Sequence, residues 1–477
     1  MSRSTLKNEK FAGNGREMAR PSVLLVTGKR KDVFFVRKLW ITVLLLLCLT
    51  TLASAEELYP ARADNGLYGY INGQGEWVIE PQFDWAGSFR GDYASFAEYP
   101  EGATEEDLWD MDCHGVIDRA GHVILTPVYT LGSGMSGEYF GGWDTGIWTV
   151  DQYESDDALA GWFDVQSGYF SGLKWGMVWH WVSDSRLIPV ESAETYQCGY
   201  ADRTTGELVI PCLYDSFMPS TFEDGVAAVQ LTDEEGEYLG DAFLIDEAGQ
   251  TIPLPEGYFC YLGGSGVQGR IPVYNEQELI GFVDTEGKLV VPAQFHAAND
   301  FSDGFAAVKF SEDECGFIGL DGSVLARGFD DVDSFRSGYA RVEKDGEVRY
   351  LRTDGSFAPF TGDGYRFFSE TRGWYRLDPK SYSSDVHLVN EQGEILTEQP
   401  VHLMEMEPSS FEGGLQAVRI DGKYGFIDLD GQVVIPCIYS SAENFDGDLA
   451  RVRLGDRVGY IDRAGNEVYM WDDPDWY

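Results

Sequence analysis

A short β-turn pattern recurs along this chain from Gly69 to the C-terminus, and most steps between its copies are 33 to 46 residues long. The clearest copy reads KYGFIDLDG and, one residue later, VVIP, over residues 423–436. Self-similarity at such a period indicates that one small supersecondary unit is copied along the chain and stacked on its neighbours. The fold must therefore be an array of similar units.

Each copy opens on an equivalent position and places a glycine six or seven residues later. The opening positions are Gly69, Gly115, Gly199, Ala242, Gly281, Gly316, Arg349, His387, Gly425 and Gly459. The glycines that follow are Gly75, Gly121, Gly206, Gly249, Gly287, Gly322, Gly355, Gly393, Gly431 and Gly465. A tight hairpin loop usually needs one residue with positive φ, which glycine adopts without a steric penalty. Several turns begin with an aspartate, such as Asp118, Asp246 or Asp462, which is expected to accept a hydrogen bond from the backbone two residues on.

The flanks of each turn read as short strands that are rich in β-branched and aromatic residues. A proline such as Pro292 or Pro436 commonly ends the second strand, where no ladder donor is needed. Further on comes a small-apolar strand, such as FAAV at residues 305–308, which we assign as the third strand of the unit whose hairpin precedes it. No helical periodicity is present. The sequence predicts an all-β tandem repeat array of antiparallel hairpin units, either propeller-like or an open solenoid.

These motifs resemble the WG repeat family of bacterial proteins, also called KWG repeats. The resemblance rests on aromatic-Gly-aromatic-Ile-Asp, the turn glycine, Val-Ile-Pro and the Gly-Leu-Ala-x-Val tail, and it covers residues 66 to 470. The one literal Lys-Trp-Gly, at residues 174–176, lacks the turn glycine and reads as a degenerate copy. Because the family is named for its motif, the resemblance implies an array of repeats and no catalytic residue.

Residues 1–55 are predicted to be an N-terminal extension and a secretory signal peptide. A basic pair at 37–38 precedes an apolar run at 39–47 and an Ala-Ser-Ala site at 53–55. The protein is therefore expected outside the cell or at its surface, with an uncleaved N-terminal membrane anchor as the alternative. Beyond it we expect repeats over 56–140, a degenerate Trp-rich segment over 141–198, and repeats with a C-terminal cap over 199–477.

The charge of the chain excludes one class of partner. The formal net charge is −45, and residues 56–477 alone carry 25 basic and 77 acidic side chains. Such a surface repels phosphates and anionic membranes, so a nucleic-acid partner or membrane insertion beyond the signal segment is not expected.

The cysteines give one candidate disulfide. Cys198 and Cys212 flank the two strands of one hairpin and are expected to face each other. No Cys-x-x-Cys pair and no histidine pair at metal-binding spacing occurs, so no metal site is predicted.

The Trp-rich segment offers a candidate binding platform. Its six tryptophans are Trp143, Trp148, Trp162, Trp175, Trp179 and Trp181. Aromatic rings can bind sugar faces or proline-rich segments, and the alternative is that they fill the core between irregular strands.

No catalytic or cofactor motif survives inspection. The Gly-x-Gly-x-x-Gly matches at 132–137 and 264–269 lie in loops without a following helix, so no cofactor is predicted. Two functions stay open. The first is a non-catalytic exported scaffold that binds a protein or glycan, and the second is a secreted glycan-active hydrolase with a site in the Trp-rich segment.

Overall fold

The computed structural model describes residues 56–99, 113–131, 146–152, 159–179, 185–217, 219–233, 235–261, 267–376, 385–403, 411 and 414–473. Residues 1–55 and 474–477, on which the predicted signal peptide and part of the predicted cap fall, lie outside them. Every regular element in the described ranges is a β-strand, and neighbouring strands pair antiparallel. The predicted all-β fold class is confirmed.

Within the described ranges, forty strands form nine hydrogen-bonded sheets. Two of these sheets have seven strands and contain two hairpins each, so the strands divide into eleven units with one hairpin apiece. Unit 1 contains β1 (Tyr59–Arg62), β2 (Tyr68–Ile71) and β3 (Trp77–Phe83). Unit 2 contains β4 (Trp85–Ala86), β5 (Tyr93–Ala97), β6 (Cys113–Asp118) and β7 (Val123–Leu131). Unit 3 contains β8 (Ile147–Gln152), β9 (Ala160–Asp164) and β10 (Tyr169–Phe170). Unit 4 contains β11 (Met177–Val178), β12 (Leu187–Glu191), β13 (Cys198–Asp202) and β14 (Leu208–Tyr214). Unit 5 contains β15 (Val226–Val229), β16 (Phe243–Asp246) and β17 (Thr251–Ile252). Unit 6 contains β18 (Tyr258–Cys260), β19 (Ile271–Asn275), β20 (Ile280–Val283) and β21 (Leu289–Phe295). Unit 7 contains β22 (Ala297–Ala298), β23 (Phe305–Ser311), β24 (Glu314–Gly319) and β25 (Val324–Phe329). Unit 8 contains β26 (Asp331–Val332), β27 (Tyr339–Lys344), β28 (Glu347–Arg352) and β29 (Phe357–Thr361). Unit 9 contains β30 (Tyr365–Phe367), β31 (Arg372–Tyr375) and β32 (Asp385–Asn390). Unit 10 contains β33 (Val401–His402), β34 (Leu415–Ile420), β35 (Lys423–Asp428) and β36 (Val433–Tyr439). Unit 11 contains β37 (Ser441–Ala442), β38 (Leu449–Leu454), β39 (Arg457–Asp462) and β40 (Glu467–Asp472).

The hairpin turns have the predicted chemistry. All ten turn glycines named above have positive φ, between 65° and 81°. In unit 11 the Asp462 Oδ1 accepts hydrogen bonds from the backbone N–H of Ala464 at 2.9 Å and of Asn466 at 2.8 Å. Asp118 and Asp246 accept the equivalent bonds in their own turns. The predicted turn structure is therefore confirmed.

The opening glycine is required for a different reason, which is a β-bulge in the last strand of the hairpin. In unit 10, Tyr424 pairs with Tyr439 while Phe426 pairs with Ile435, so residues 436–438 all lie opposite Gly425. A Cβ on Gly425 would lie 2.6 Å from the carbonyl oxygen of Ile435. The equivalent distance is 2.1 to 2.6 Å at Gly69, Gly115, Gly199, Gly281, Gly316 and Gly459. The bulge therefore admits only glycine, and Pro436 lies in it because no ladder donor is needed there.

The small-apolar strand belongs to a different sheet from the one predicted. The FAAV strand, β23, pairs with β24 of the following hairpin, because only residues 312–313 separate the two strands. The assignment of this strand to the preceding hairpin is therefore wrong. Each sequence repeat instead spans two adjacent sheets and connects them covalently.

The degenerate unit lies inside the predicted segment 141–198, but the literal Lys-Trp-Gly is not its opening. Unit 3 opens at Gly161 in β9, and its turn glycine is Gly168 with φ of 70°. Residues 174–176, the literal Lys-Trp-Gly, form the connection between β10 and β11. In unit 3 the turn aspartate, Asp164, is buried and forms an ion pair of 2.8 Å with Arg203 of unit 4.

The core consists of clusters between consecutive units. The alternating residues of β23 show how: Ala306 and Val308 pack against unit 6, whereas Ala307 packs against unit 8. Both faces of each sheet are buried, which explains the small residues of this strand. Across the described residues there are eleven such clusters for eleven units. An open row of eleven units would have one interface fewer.

The additional cluster closes the array, because it joins unit 11 to unit 1. Its buried residues are Tyr59, Ala61, Ile71, Leu449, Val458, Tyr460 and Trp471. The Tyr460 hydroxyl donates to the Pro60 carbonyl at 2.8 Å, as the Tyr70 hydroxyl of unit 1 donates to the Gly87 carbonyl of unit 2 at 2.8 Å.

The hairpin turn of unit 1 packs on unit 11 in the same way as the hairpin turn of unit 2 packs on unit 1. A Cβ on Gly121 of unit 2 would meet Ile79 of unit 1, and a Cβ on Gly75 of unit 1 would meet Val468 of unit 11. The units therefore form a closed, propeller-like ring and not an open solenoid.

Acid is expected to weaken the hydrogen bonds of Asp462 in the turn of unit 11, and the substitution Asp462→Asn measures their contribution to stability. The side-chain hydrogen bond from Asn466, helped by backbone N–H groups and opposed by desolvation, holds the pKa of Asp462 below its ordinary value. The unfolded-state pKa, about 3.9, is therefore the higher one, and the stabilisation is complete above it and lost as pH falls through the folded-state pKa. Asp462→Asn retains the turn acceptor, as Asn72 does in unit 1. The stability advantage of wild type over this variant, measured by urea unfolding, should shrink between about pH 6 and about pH 3. An unchanged difference would contradict this.

Candidate binding cleft

The predicted tryptophan platform is not an open surface in the part that the structure describes. Trp148 packs between units 2 and 3, and Trp162 and Trp175 pack between units 3 and 4. These rings and that of Trp179 are no more than 8% exposed. They fill cores around the degenerate unit, so the platform prediction is wrong for these four, whereas Trp143 and Trp181 lie outside the described residues.

The predicted disulfide is not formed. Cys198 and Cys212 are both free thiols. The bulge shifts the register so that Cys198 lies opposite Tyr214, two residues beyond Cys212. Burial raises the pKa of the Cys198 thiol well above its ordinary value, which keeps it protonated.

A cleft of about 520 Å³ lies between units 8 and 9 and reaches unit 10. Four arginines line it, Arg336, Arg341, Arg366 and Arg376, together with two aspartates, Asp333 and Asp363. The lining thus contains more cationic than anionic side chains, in a chain whose net charge is −45.

Arg341 is a charged side chain of the cleft that three carboxylates hold in place. Its guanidinium contacts Asp331 and Asp363 at 3.2 Å each and Glu343 at 2.8 Å. Desolvation alone would lower the pKa of Arg341, but the hydrogen bonds with Glu343 and Asp363 raise it above its ordinary value. The pKa of the Asp333 carboxyl group is also raised, because desolvation outweighs the attraction of Arg341.

Aromatic side chains build the walls. Tyr339 and Phe367 stack with their ring centroids 4.1 Å apart. The Tyr350 hydroxyl donates to the Tyr365 carbonyl and accepts from the Tyr365 N–H, both at 3.1 Å, which locks unit 8 to unit 9. Desolvation raises the pKa of Tyr350 above its ordinary value. These side chains hold the cleft in a defined shape.

The repeat itself identifies what is unusual about the cleft. Arg341 pairs with Tyr350 across β27 and β28, at the position where Ala307 pairs with Phe317 in unit 7. The same position is Ala417 in unit 10 and Trp374 in unit 9. Unit 11 holds an arginine there as well, Arg451 opposite Tyr460, so what distinguishes the cleft is that two adjacent units, 8 and 9, both carry a large residue at this position. This signal is present in the sequence, but it is readable only once the register of the sheets is known.

The described ranges contain no group of three or more His, Cys, Asp and Glu side chains placed to hold a metal ion. In the same ranges there is no helix whose length and apolar character would let it cross a membrane.

The fold and the cleft together define the class: a β-rich repeat protein whose units form a closed ring, an architecture consistent with a scaffold. The family follows from the repeats themselves. Residues 68–97, 199–233, 280–312, 316–347 and 424–457 each match the family model described as WG containing repeat. Five segments of the chain therefore carry the WG repeat, and the resemblance seen in the sequence is confirmed for them.

Several solved structures are similar to this chain at low identity. A eukaryotic initiation factor is 10% identical over 73% of this chain and 96% of its own, with a TM-score of 0.37. BamB from Moraxella catarrhalis is 11% identical over 59% of this chain and 92% of its own, with a TM-score of 0.28. AztD from Citrobacter koseri is 12% identical over 61% of this chain and 94% of its own, with a TM-score of 0.26. No curated protein matches the sequence. Likenesses this distant carry no information about ligand or activity.

Proposed function

We propose that this protein is a non-catalytic exported scaffold that binds a protein or glycan ligand at the cell surface or outside the cell. The observation that carries the proposal is the cleft at units 8 and 9, where Arg341 and Trp374 replace the small residue that units 7 and 10 hold. A concave site lined by charged and aromatic side chains on a rigid scaffold is typical of a binding site.

The ring supports this function physically. Each unit is packed on both faces, so the walls of the cleft are fixed before a ligand arrives. A preorganised site loses little conformational entropy on binding, and affinity rises accordingly.

The export part of the proposal rests on the basic, apolar and Ala-Ser-Ala elements of residues 37–55. When the full chain is expressed in a bacterium, the mature protein should begin at Glu56. Mass spectrometry of the intact protein from the envelope or the medium measures this directly. A chain that retains residues 1–55 in the membrane fraction would show an anchor instead, and a full-length chain in the cytosol would contradict export.

The binding part is tested by a glycan and peptide array beside an activity screen on polysaccharides. Capture without turnover, weakened by Trp374→Phe, is the expected result. Turnover that a single carboxylate substitution such as Asp333→Asn abolishes would show instead that the protein is a hydrolase.

A further inference from the structure

We infer that the cleft between units 8 and 9 binds the carboxylate-bearing ring of an acidic sugar, such as a uronic acid unit of a glycan. This inference rests on the proposed binding function and specifies its ligand. Three properties of the cleft lead to it: its local charge, an unsatisfied donor, and its mixture of acidic and aromatic lining.

The first property is a cationic lining in an anionic protein. Arg336, Arg341, Arg366 and Arg376 outnumber the two aspartates of the cleft. By register, Arg366 lies directly opposite Trp374 across β30 and β31, so the two share one face of the sheet. The planar guanidinium group matches the geometry of a carboxylate and binds it through paired hydrogen bonds. Because the whole chain has a net charge of −45, an anion-binding site here would be a local and specific feature.

The second property is a buried hydrogen-bond donor. Trp374 lines the cleft with 4% of its surface exposed, and its Nε1–H has no hydrogen-bond partner among the described residues. Leaving a buried donor unsatisfied carries a free-energy cost. A ligand oxygen that accepted this bond would recover that cost, whereas the alanine of units 7 and 10 offers no such donor.

The third property separates an acidic sugar from other anions. Asp333 and Asp363 line the same cleft, and their carboxylates repel a phosphate dianion more strongly than the singly charged carboxylate of an acidic sugar. The same carboxylates accept hydrogen bonds from hydroxyl groups, which a sugar ring supplies on several carbons. Tyr365 is half-buried in the wall, where its ring packs against Phe360 and Tyr375 and adds an aromatic edge to the lining. The volume of about 520 Å³ lies within the range of small-ligand sites.

The test is a calorimetric titration of the purified mature chain with glucuronate, glucose and inorganic phosphate. Glucuronate should bind, and glucose and phosphate should each bind at least about tenfold more weakly, because glucose lacks the carboxylate and phosphate meets the two aspartates. Arg366→Gln and Trp374→Phe should each weaken glucuronate binding by about tenfold, the effect of losing one hydrogen bond to a charged group.

The matched control is Arg327→Gln in unit 7, which removes an arginine paired with Glu314 outside the cleft and should leave glucuronate affinity unchanged. Because Arg366 is exposed, its variant should fold normally, and thermal unfolding confirms this before titration. Equal binding of glucose or phosphate, or glucuronate binding that neither cleft variant weakens, would overturn the inference.

The array separates this inference from the proposed function. Capture of a neutral glycan or a peptide that Trp374→Phe weakens would keep the scaffold function and end the acidic-sugar assignment. Absence of any capture, together with no glucuronate binding, would end both.

Discussion

Replacement of Gly425 by alanine is expected to destabilise the protein by about 3 kcal/mol, the upper end of the usual cost of overpacking a filled core. The new Cβ would lie 2.6 Å from the Ile435 carbonyl oxygen and 2.7 Å from the backbone nitrogen of Cys437. Both contacts are to backbone of the bulged strand, which cannot move without breaking its pairing with β35. Phe426, fully buried between units 10 and 11, would be displaced together with the bulge.

The measurement is urea unfolding followed by tryptophan fluorescence, with Gly73→Ala as the matched control. Gly73 also lies in a WG repeat, but a Cβ there has no atom within 4 Å and its φ is not positive. That variant should unfold within about 0.5 kcal/mol of wild type, as ordinary surface substitutions do. If the two alanine variants were equally stable, the bulge would not be the reason for the opening glycine.

Replacement of Tyr59 by alanine is expected to open the ring. Tyr59 is 3% exposed, and its hydroxyl donates to the Asp446 carbonyl at 3.1 Å and accepts from the Asp448 N–H at 3.0 Å. Truncation of a buried aromatic side chain to alanine typically costs about 3–5 kcal/mol. Since the lost contacts join unit 1 to unit 11, amide hydrogen exchange should accelerate in both β2 and β40, although these lie at opposite ends of the sequence.

The control for this variant is Tyr59→Phe, which retains the ring and loses only the two hydrogen bonds. Its cost should be smaller, about 1–2 kcal/mol. Faster exchange in β2 with no change in β40 would indicate that the two ends do not support each other.

The local features of the fold could be predicted from the sequence because each depends on a few neighbouring residues. The positive φ of Gly431 and the turn bonds of Asp462 follow from single residues at fixed spacing. The pairing of β23 could not be assigned so easily, since a strand between two hairpins can join either one. The deciding fact was the two-residue link to β24.

Features that depend on distant residues were missed. The closure joins Tyr460 to Pro60 across 400 residues, and neither residue carries a local signal of it. Trp162 was read as a candidate platform residue because composition reveals aromatic content but not which face of a strand is covered. Gly161 and Gly168 do have the spacing of an opening and a turn glycine, so the degenerate unit could have been found by that spacing alone.

Closure of the ring is tested most directly by distances between hairpin turns, measured by double electron–electron resonance on a chain whose native cysteines are replaced. Spin labels at Gln74 and Ala120 report neighbouring units 1 and 2, and labels at Gln74 and Ala464 report units 1 and 11. All three residues are exposed and precede a turn glycine. The closed ring requires the two pairs to give the same distance within label uncertainty, and a label at Glu286 of unit 6 to lie much farther from Gln74. A distance between Gln74 and Ala464 that exceeds the distance to Glu286 would contradict the ring and show an open array.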